Sequence, residues 1–138
     1  MRKSEAEMKK TTEDYLKTIY NIKQLSGEVR SVAIAEALSV SKPTVSNKVK
    51  HLIKEGFITM DGSYLIELTE KGLAVALATL DRNRTIRELL TGLGVDEKTA
   101  EADACEMEHA ISHKSMDALK KLAGRHCLMT CAINAEGE

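Results

Sequence analysis

Aromatic side chains are scarce in this sequence: one Phe, three Tyr and no Trp make up 3% of 138 residues. The scarcity excludes a core assembled around large rings and leaves Leu, Ile, Val, Ala and Met to fill it, which predicts a mostly α-helical fold. Long apolar runs are missing as well, since no stretch approaches the ~18 residues of a membrane span. Residues 1–12 are charged and lack the apolar centre of a signal peptide. A cytoplasmic protein with no membrane partner is expected. Net charge is close to absent, at −1, so any nucleic-acid binding must come from a local basic face. Cysteine is sparse and odd in number, at three, which argues against a disulfide framework and for thiols that are buried or act as ligands. No Gly-rich phosphate loop, nucleophile elbow or His-Glu-x-x-His pattern occurs, so neither an enzyme nor a small-molecule substrate is expected.

What remains is enough to fold: 43% of the residues are hydrophobic, sufficient for one compact unit or two small ones, and small domains often complete themselves by dimerising. Residues 12–25 place Leu16, Ile19, Tyr20 and Ile22 at helical spacing, with Thr11 or Thr12 as N-cap and Gly27 as the stop. Residues 32–38 predict a short second helix, and Ser39 and Val40 a tight turn. Ser41 predicts the N-cap of a third helix that carries the single proline, Pro43, in its first turn and ends at Gly56. Two short helices joined by a tight turn make a helix-turn-helix. The β-prone runs 57–60 and 64–68 flank Asp61-Gly62-Ser63, which predicts a β-hairpin wing. Thr69 then caps a helix that stays apolar to about Gly92, Asp96 caps another through about Ala110, and Ser112 a third that stops at Gly124. Residues 125–138 show no clear period and are expected to be a tail.

The third helix opposes its apolar stripe with Lys42, Thr44, Ser46, Asn47, Lys48 and Lys50, followed by His51 and Lys54, and only Glu55 counters their charge. A recognition helix needs short hydrogen-bonding side chains near its N-terminus for base edges and cations around them for phosphates. Ser41, Pro43, Thr44 and Asn47 are the candidates for base edges or a thymine methyl, Lys42, Lys48, Lys50 and Arg30 those for phosphates, and Ser46 is a further DNA-binding candidate. Double-stranded DNA is the partner this face fits.

Cys105, Glu108 and His109 recur at i, i+3 and i+4, placing a thiol, a carboxylate and an imidazole on one helix face. One helix face cannot close a coordination sphere, so a further ligand must come from elsewhere, and on pattern alone Asp14 is one of several carboxylates that could supply it. C-x-x-E-H is less specific than paired C-x-x-C motifs. A winged-helix regulator answering to thiol oxidation or an organic ligand is an alternative, and a metallo-hydrolase a more distant one.

Several segments, in order, resemble one family: Thr11-Thr12-Glu13-Asp14-Tyr15-Leu16-Lys17-Thr18-Ile19-Tyr20, then Ile34-Ala35-Glu36-Ala37-Leu38, Pro43-Thr44-Val45-Ser46, Leu68-Thr69-Glu70-Lys71-Gly72 and Cys105-Glu106-Met107-Glu108-His109-Ala110-Ile111-Ser112. The chain is similar there to the diphtheria toxin repressor family, which includes iron-dependent repressors and manganese transport regulators. The resemblance covers residues 11–122 and implies the short form without an SH3-like domain. It implies a winged-helix DNA-binding domain over residues 1–72, a helical dimerisation and metal-binding domain over 73–124, and a tail over 125–138. It further implies a homodimer that binds a palindromic operator when loaded with Mn(II) or Fe(II) and represses metal-uptake genes.

The resemblance assigns the regulatory metal to Asp14, Cys105, Glu108 and His109. The chain departs from the family at an ancillary site, where Asn83 stands in place of a common His, Arg87 in place of a Glu, and Lys17 in place of a Glu that serves manganese regulators. Glu101 is the acid left for a second ion there, and a single well-formed site is expected. Hard carboxylates suit Mn(II) whereas a thiolate favours Fe(II), so the donor types pull in opposite directions.

Overall fold

The computed structural model describes residues 2–136, with side chains described for 5–124. Contacts divide the chain into two compact units, Met1–Thr79 and Leu80–Glu138. The division falls inside one helix.

The first unit begins with α1 (Arg2–Ser26), which starts about ten residues earlier than its apolar spacing implied. Residues 2–11 contain no Gly or Pro and are mostly Lys, Arg, Glu, Ala and Met, all good helix formers. Thr11 is therefore an interior residue and not a cap: its hydroxyl donates back to the Glu7 carbonyl at 2.7 Å. Gly27, at φ +79, ends the helix as expected, and its N–H bonds the Lys23 carbonyl at 2.9 Å. Tyr15, Leu16 and Ile19 line the buried face of α1.

Next come α2 (Ser31–Leu38) and α3 (Lys42–Lys54). Ser39 turns the chain between them in the left-handed region, φ 54, and the Val40 N–H closes α2 on the Ala35 carbonyl. Ser41 caps α3, its hydroxyl accepting from the Thr44 N–H at 3.3 Å, with Pro43 in the first turn. Replacing Ser41 by alanine should cost about 1 kcal/mol of unfolding free energy in urea titrations, and an unchanged midpoint would show that the cap is inert.

Strands β1 (Ile58–Met60) and β2 (Ile66–Leu68) pair antiparallel, with Ile58 opposite Leu68 and Met60 opposite Ile66. As expected, the strands are joined by a hairpin turn at Asp61-Gly62-Ser63, with the Tyr64 N–H on the Asp61 carbonyl and the Asp61 N–H on the Leu65 carbonyl, both at 3.1 Å. Asp61 Oδ1 accepts from the N–H groups of Ser63 and Leu65 at 2.8 and 3.0 Å, and Tyr64 supplies the left-handed residue at φ 62. The aspartate side chain thus adds to the backbone bonds of the turn. Val45, Val49 and Leu52 of α3 join α1, α2 and both strands in one core, to which Val75 and Ala76 of α4 (Glu70–Gly92) also belong. That packing assigns the first turns of α4 to the winged helix.

The second unit contains the rest of α4, α5 (Glu97–Ala110) and α6 (His113–Glu136). Asp96 and Ser112 cap α5 and α6 as expected, accepting from the N–H groups of Thr99 at 2.9 Å and Ser115 at 3.2 Å. Ile86, Ala104 and Met116 form its core, with Leu90 and Ile111 packed against them. Gly124 does not stop α6, which continues to Glu136. A glycine inside a helix costs only about 1 kcal/mol relative to Ala, and no proline follows it. The side chains of His126, Cys127 and Cys131 lie outside the described residues.

Candidate metal centre and nucleic-acid interface

With Val45, Val49 and Leu52 turned inward, α3 exposes Lys42, Pro43, Thr44, Ser46, Asn47 and Lys50, and its cap Ser41 is exposed as well. The Ser41 and Thr44 hydroxyls are 2.7 Å apart, so they orient one another at the N-terminal end of the helix. Further along, Asn47, Lys50, His51 and Lys54 line one open cleft. Arg30 is placed at the wing, where its Nη1 donates to the Ser63 carbonyl at 2.8 Å. That leaves its charge at the rim of the same unit.

Lys48 differs from the other lysines of α3. Its ammonium is half-buried and donates to Thr12 Oγ1 of α1 at 2.9 Å. Burial pushes this lysine below its ordinary range, against a smaller opposite effect from Glu55. Periodicity puts Lys48 among the outward residues, but its long stem carries the charge back to the α1 hydroxyl. Lys48 therefore braces α1 against α3, and the exposed cationic face is formed without it.

In the second unit, α5 turns Cys105, Glu108 and His109 to one side, and the Glu108 side chain is fully withdrawn from solvent while that of His109 is 5% exposed. Glu108 Oε1 lies 3.2 Å from His109 Nε2. Two residues of α4 hold this face. Arg82 Nε donates to the Glu108 carbonyl at 2.8 Å, fixing the last turn of α5, and Asn83 Nδ2 lies 3.5 Å from Cys105 Sγ. Arg82 carries no sequence signal for this role, because its partner is a backbone carbonyl 26 residues away. Nearby, Asp81 is held below the usual carboxylate range by a hydrogen bond from Lys120, with Arg84 adding to the effect.

Asp14 belongs to the first unit, where it is half-buried on α1 with Lys17 Nζ 3.9 Å from its carboxylate. Glu101 is exposed and lines an open cleft with Arg87, Glu88, Thr91 and Glu97. A guanidinium in that cleft opposes a second cation at Glu101.

A thiol, a carboxylate and an imidazole on one face, two of them out of water, suit a divalent transition metal: each lone pair is one that such ions accept, and the desolvated carboxylate gains most from a cation. With a polar, cationic third helix beside a β-hairpin, the fold and site define a winged-helix DNA-binding protein equipped to hold a metal.

Comparison with known proteins agrees. The family described as iron dependent repressor, N-terminal DNA binding domain, matches residues 7–63, and that described as iron dependent repressor, metal binding and dimerisation domain, matches residues 69–127. An uncharacterized HTH-type transcriptional regulator of Methanocaldococcus jannaschii is 37% identical over 115 residues, 82% of this chain and 92% of that protein. The transcriptional regulator MntR of Escherichia coli O157:H7 is 33% identical over 122 residues, 88% of this chain and 79% of its own length. The manganese regulator SloR has a solved structure that superposes with a TM-score of 0.73 at 32% identity, covering 82% of this chain and 53% of SloR. The chain also spans 46% of the iron-dependent repressor IdeR of Mycobacterium tuberculosis, at 37% identity over 107 residues, 77% of this chain. The chain belongs to the iron-dependent repressor, or diphtheria toxin repressor, family of metal-dependent transcriptional repressors, which are not enzymes. Among the described residues no helix is long and apolar enough to cross a membrane.

Proposed function

We propose that this chain is a cytoplasmic, metal-activated repressor that binds a palindromic double-stranded operator as a homodimer and controls metal-uptake genes in response to Mn(II) or Fe(II). The observation that carries the metal reading is the α5 face on which half-buried Cys105 joins the buried Glu108 and His109 side chains. Asp14 supplies the fourth donor, a role supported by family membership and by its half-buried place on α1. The bound ion contributes a divalent charge that these four side chains share.

Because Asp14 lies in the DNA-binding unit and the other donors lie in the second, occupancy couples the two. A homodimer presents two recognition helices to half-sites about one turn, ~34 Å, apart. Metal then favours operator binding by its differential affinity for the competent arrangement, and DNA tightens metal binding by the same factor. Ser41, Pro43, Thr44, Ser46 and Asn47 read base edges, while Lys42, Lys50 and Arg30 hold phosphates. Lys48 contributes by keeping α3 in place. The carboxylates favour Mn(II) and the thiolate favours Fe(II), and both metals appear in the names of relatives, the manganese regulator SloR and the iron-dependent repressor IdeR.

The test uses a DNA duplex selected from a randomised pool by the metal-loaded wild type, titrated anaerobically with Mn(II) or Fe(II). Metal should tighten wild-type binding by about 100-fold, near the upper range of allosteric coupling, and Asp14→Ala should reduce that factor to about fivefold or less. If Asp14→Ala responds to metal as the wild type does, Asp14 is not a donor.

A further inference from the structure

Asn83 is 9% exposed on α4, and its amide Nδ2 is within hydrogen-bonding reach of Cys105 Sγ on α5, at 3.5 Å. Both residues lie within the second unit. An amide N–H has few uses in such a place unless it meets an acceptor, because burying it without one costs free energy. A sulfur is a weak acceptor as a thiol and a much stronger one as a thiolate, the form in which it binds metal. The contact therefore gains most when the Cys105 sulfur serves as a ligand.

We propose that Asn83 is a positioning and selectivity residue that donates an amide N–H to the Cys105 sulfur, orienting it and weakening its electron donation to a bound metal. The proposal rests on Cys105 being a ligand. Hydrogen bonds to coordinating groups fix their direction and tune the ion they hold. A neutral donor on a thiolate withdraws electron density from sulfur without occupying a coordination position. That moves the site away from thiophilic ions such as Cd(II) and Zn(II) and toward Mn(II) and Fe(II), for which the carboxylates carry more of the binding. Asn83 thus reconciles a soft ligand with hard-ligand neighbours. Sequence spacing alone identifies Asn83 only by its place on α4, since its partner lies 22 residues away.

The test is made in the full chain with Cys127→Ser and Cys131→Ser, which leaves Cys105 as its only thiol. Co(II) is added as the probe, and the sulfur-to-cobalt charge-transfer band is recorded in the near ultraviolet. Asn83→Leu keeps the number and branching of the side-chain heavy atoms and removes the donor, whereas Asn83→Ser retains a hydroxyl donor and covers the case in which Asn83→Leu does not fold. Removing the donor should move the band to lower energy and raise the ratio of Cd(II) to Mn(II) affinity by about tenfold, the low end of outer-sphere effects. Asn83→Ser should fall between Asn83→Leu and the parent chain, and if Asn83→Leu is unfolded it should by itself move the band to lower energy and raise the affinity ratio above that of the parent, by a smaller factor. A parent chain without the band overturns the assignment of Cys105 as a ligand. A parent band that neither Asn83 variant shifts, with an unchanged affinity ratio, overturns the role of Asn83 alone.

Discussion

A Glu108→Gln chain should lose most of the rise in melting temperature that Mn(II) or Fe(II) confers on the wild type, while folding as well as the wild type in chelator. The Glu108 side chain is fully buried against His109. Glutamine preserves its volume and hydrogen-bonding capacity, so the packing around α5 survives. The negative charge that faces a cation does not. A ligand present at 100 times its dissociation constant stabilises the native state by ~2.7 kcal/mol, worth about 10 °C at roughly 4 °C per kcal/mol. Taking about a 100-fold loss of affinity, ~2.7 kcal/mol of binding energy, the same metal concentration becomes comparable to the new dissociation constant. The stabilisation then falls to ~0.4 kcal/mol, about 2 °C by the same conversion.

The sign in chelator is separately informative. A buried carboxylate carries a desolvation penalty that an amide largely avoids, so the metal-free variant should melt at or above the metal-free wild type. Calorimetry with and without metal measures both quantities. A variant that keeps the full metal-induced shift would remove Glu108 from the ligand set, and one unfolded in chelator would show that the carboxylate is structural.

Local chemistry explains why much of the architecture was legible beforehand. Ser41, Thr69, Asp96 and Ser112 each announce a helix start because an oxygen two or three residues before an orphan N–H is a local device, and all four are used that way. Gly27 and Gly56 mark helix ends through positive φ. The failures share the opposite character. Thr11 and Thr12 suggest a start for α1 because both can cap, yet uninterrupted helix formers before them extend the helix. Gly124 suggests a stop, but a glycine ends a helix only where the chain turns left-handed, and α6 continues past it. At the site, the i, i+3, i+4 spacing of Cys105, Glu108 and His109 on α5 is a local pattern, and Glu108 Oε1 lies 3.2 Å from His109 Nε2. The inward course of Lys48, the grip of Arg82 on α5 and the contact of Asn83 with Cys105 depend on which helices pack together, and periodicity along one helix does not contain that information.

Gly72→Ala should be among the most destabilising single-methyl additions to the winged helix, costing about 3 kcal/mol, the upper end for overpacking, and lowering the melting temperature by roughly 10–20 °C. A Cβ at this position would meet the Phe57 carbonyl oxygen at 2.0 Å and its carbon at 2.9 Å. Both are backbone atoms, so no side-chain rotation relieves the overlap. The segments are also latched together by Thr69, whose N–H donates to the Phe57 carbonyl at 3.0 Å. The Thr69 hydroxyl lies 2.6 Å from the Gly56 carbonyl and accepts from the Gly72 N–H at 3.1 Å. Accommodating the methyl means parting α4 from the residue that leads into β1, and so breaking the bonds that cap the helix. Gly62→Ala is the matched control: no atom lies within 4 Å of its Cβ, and its effect should stay within about 0.5 kcal/mol. The contrast separates a steric requirement for glycine from a general cost of altering the chain near the wing. Thermal melts of the two variants side by side decide it, and a Gly72→Ala chain melting within about 3 °C of the wild type would mean that the close approach of Gly72 to Phe57 does not hold the winged helix together.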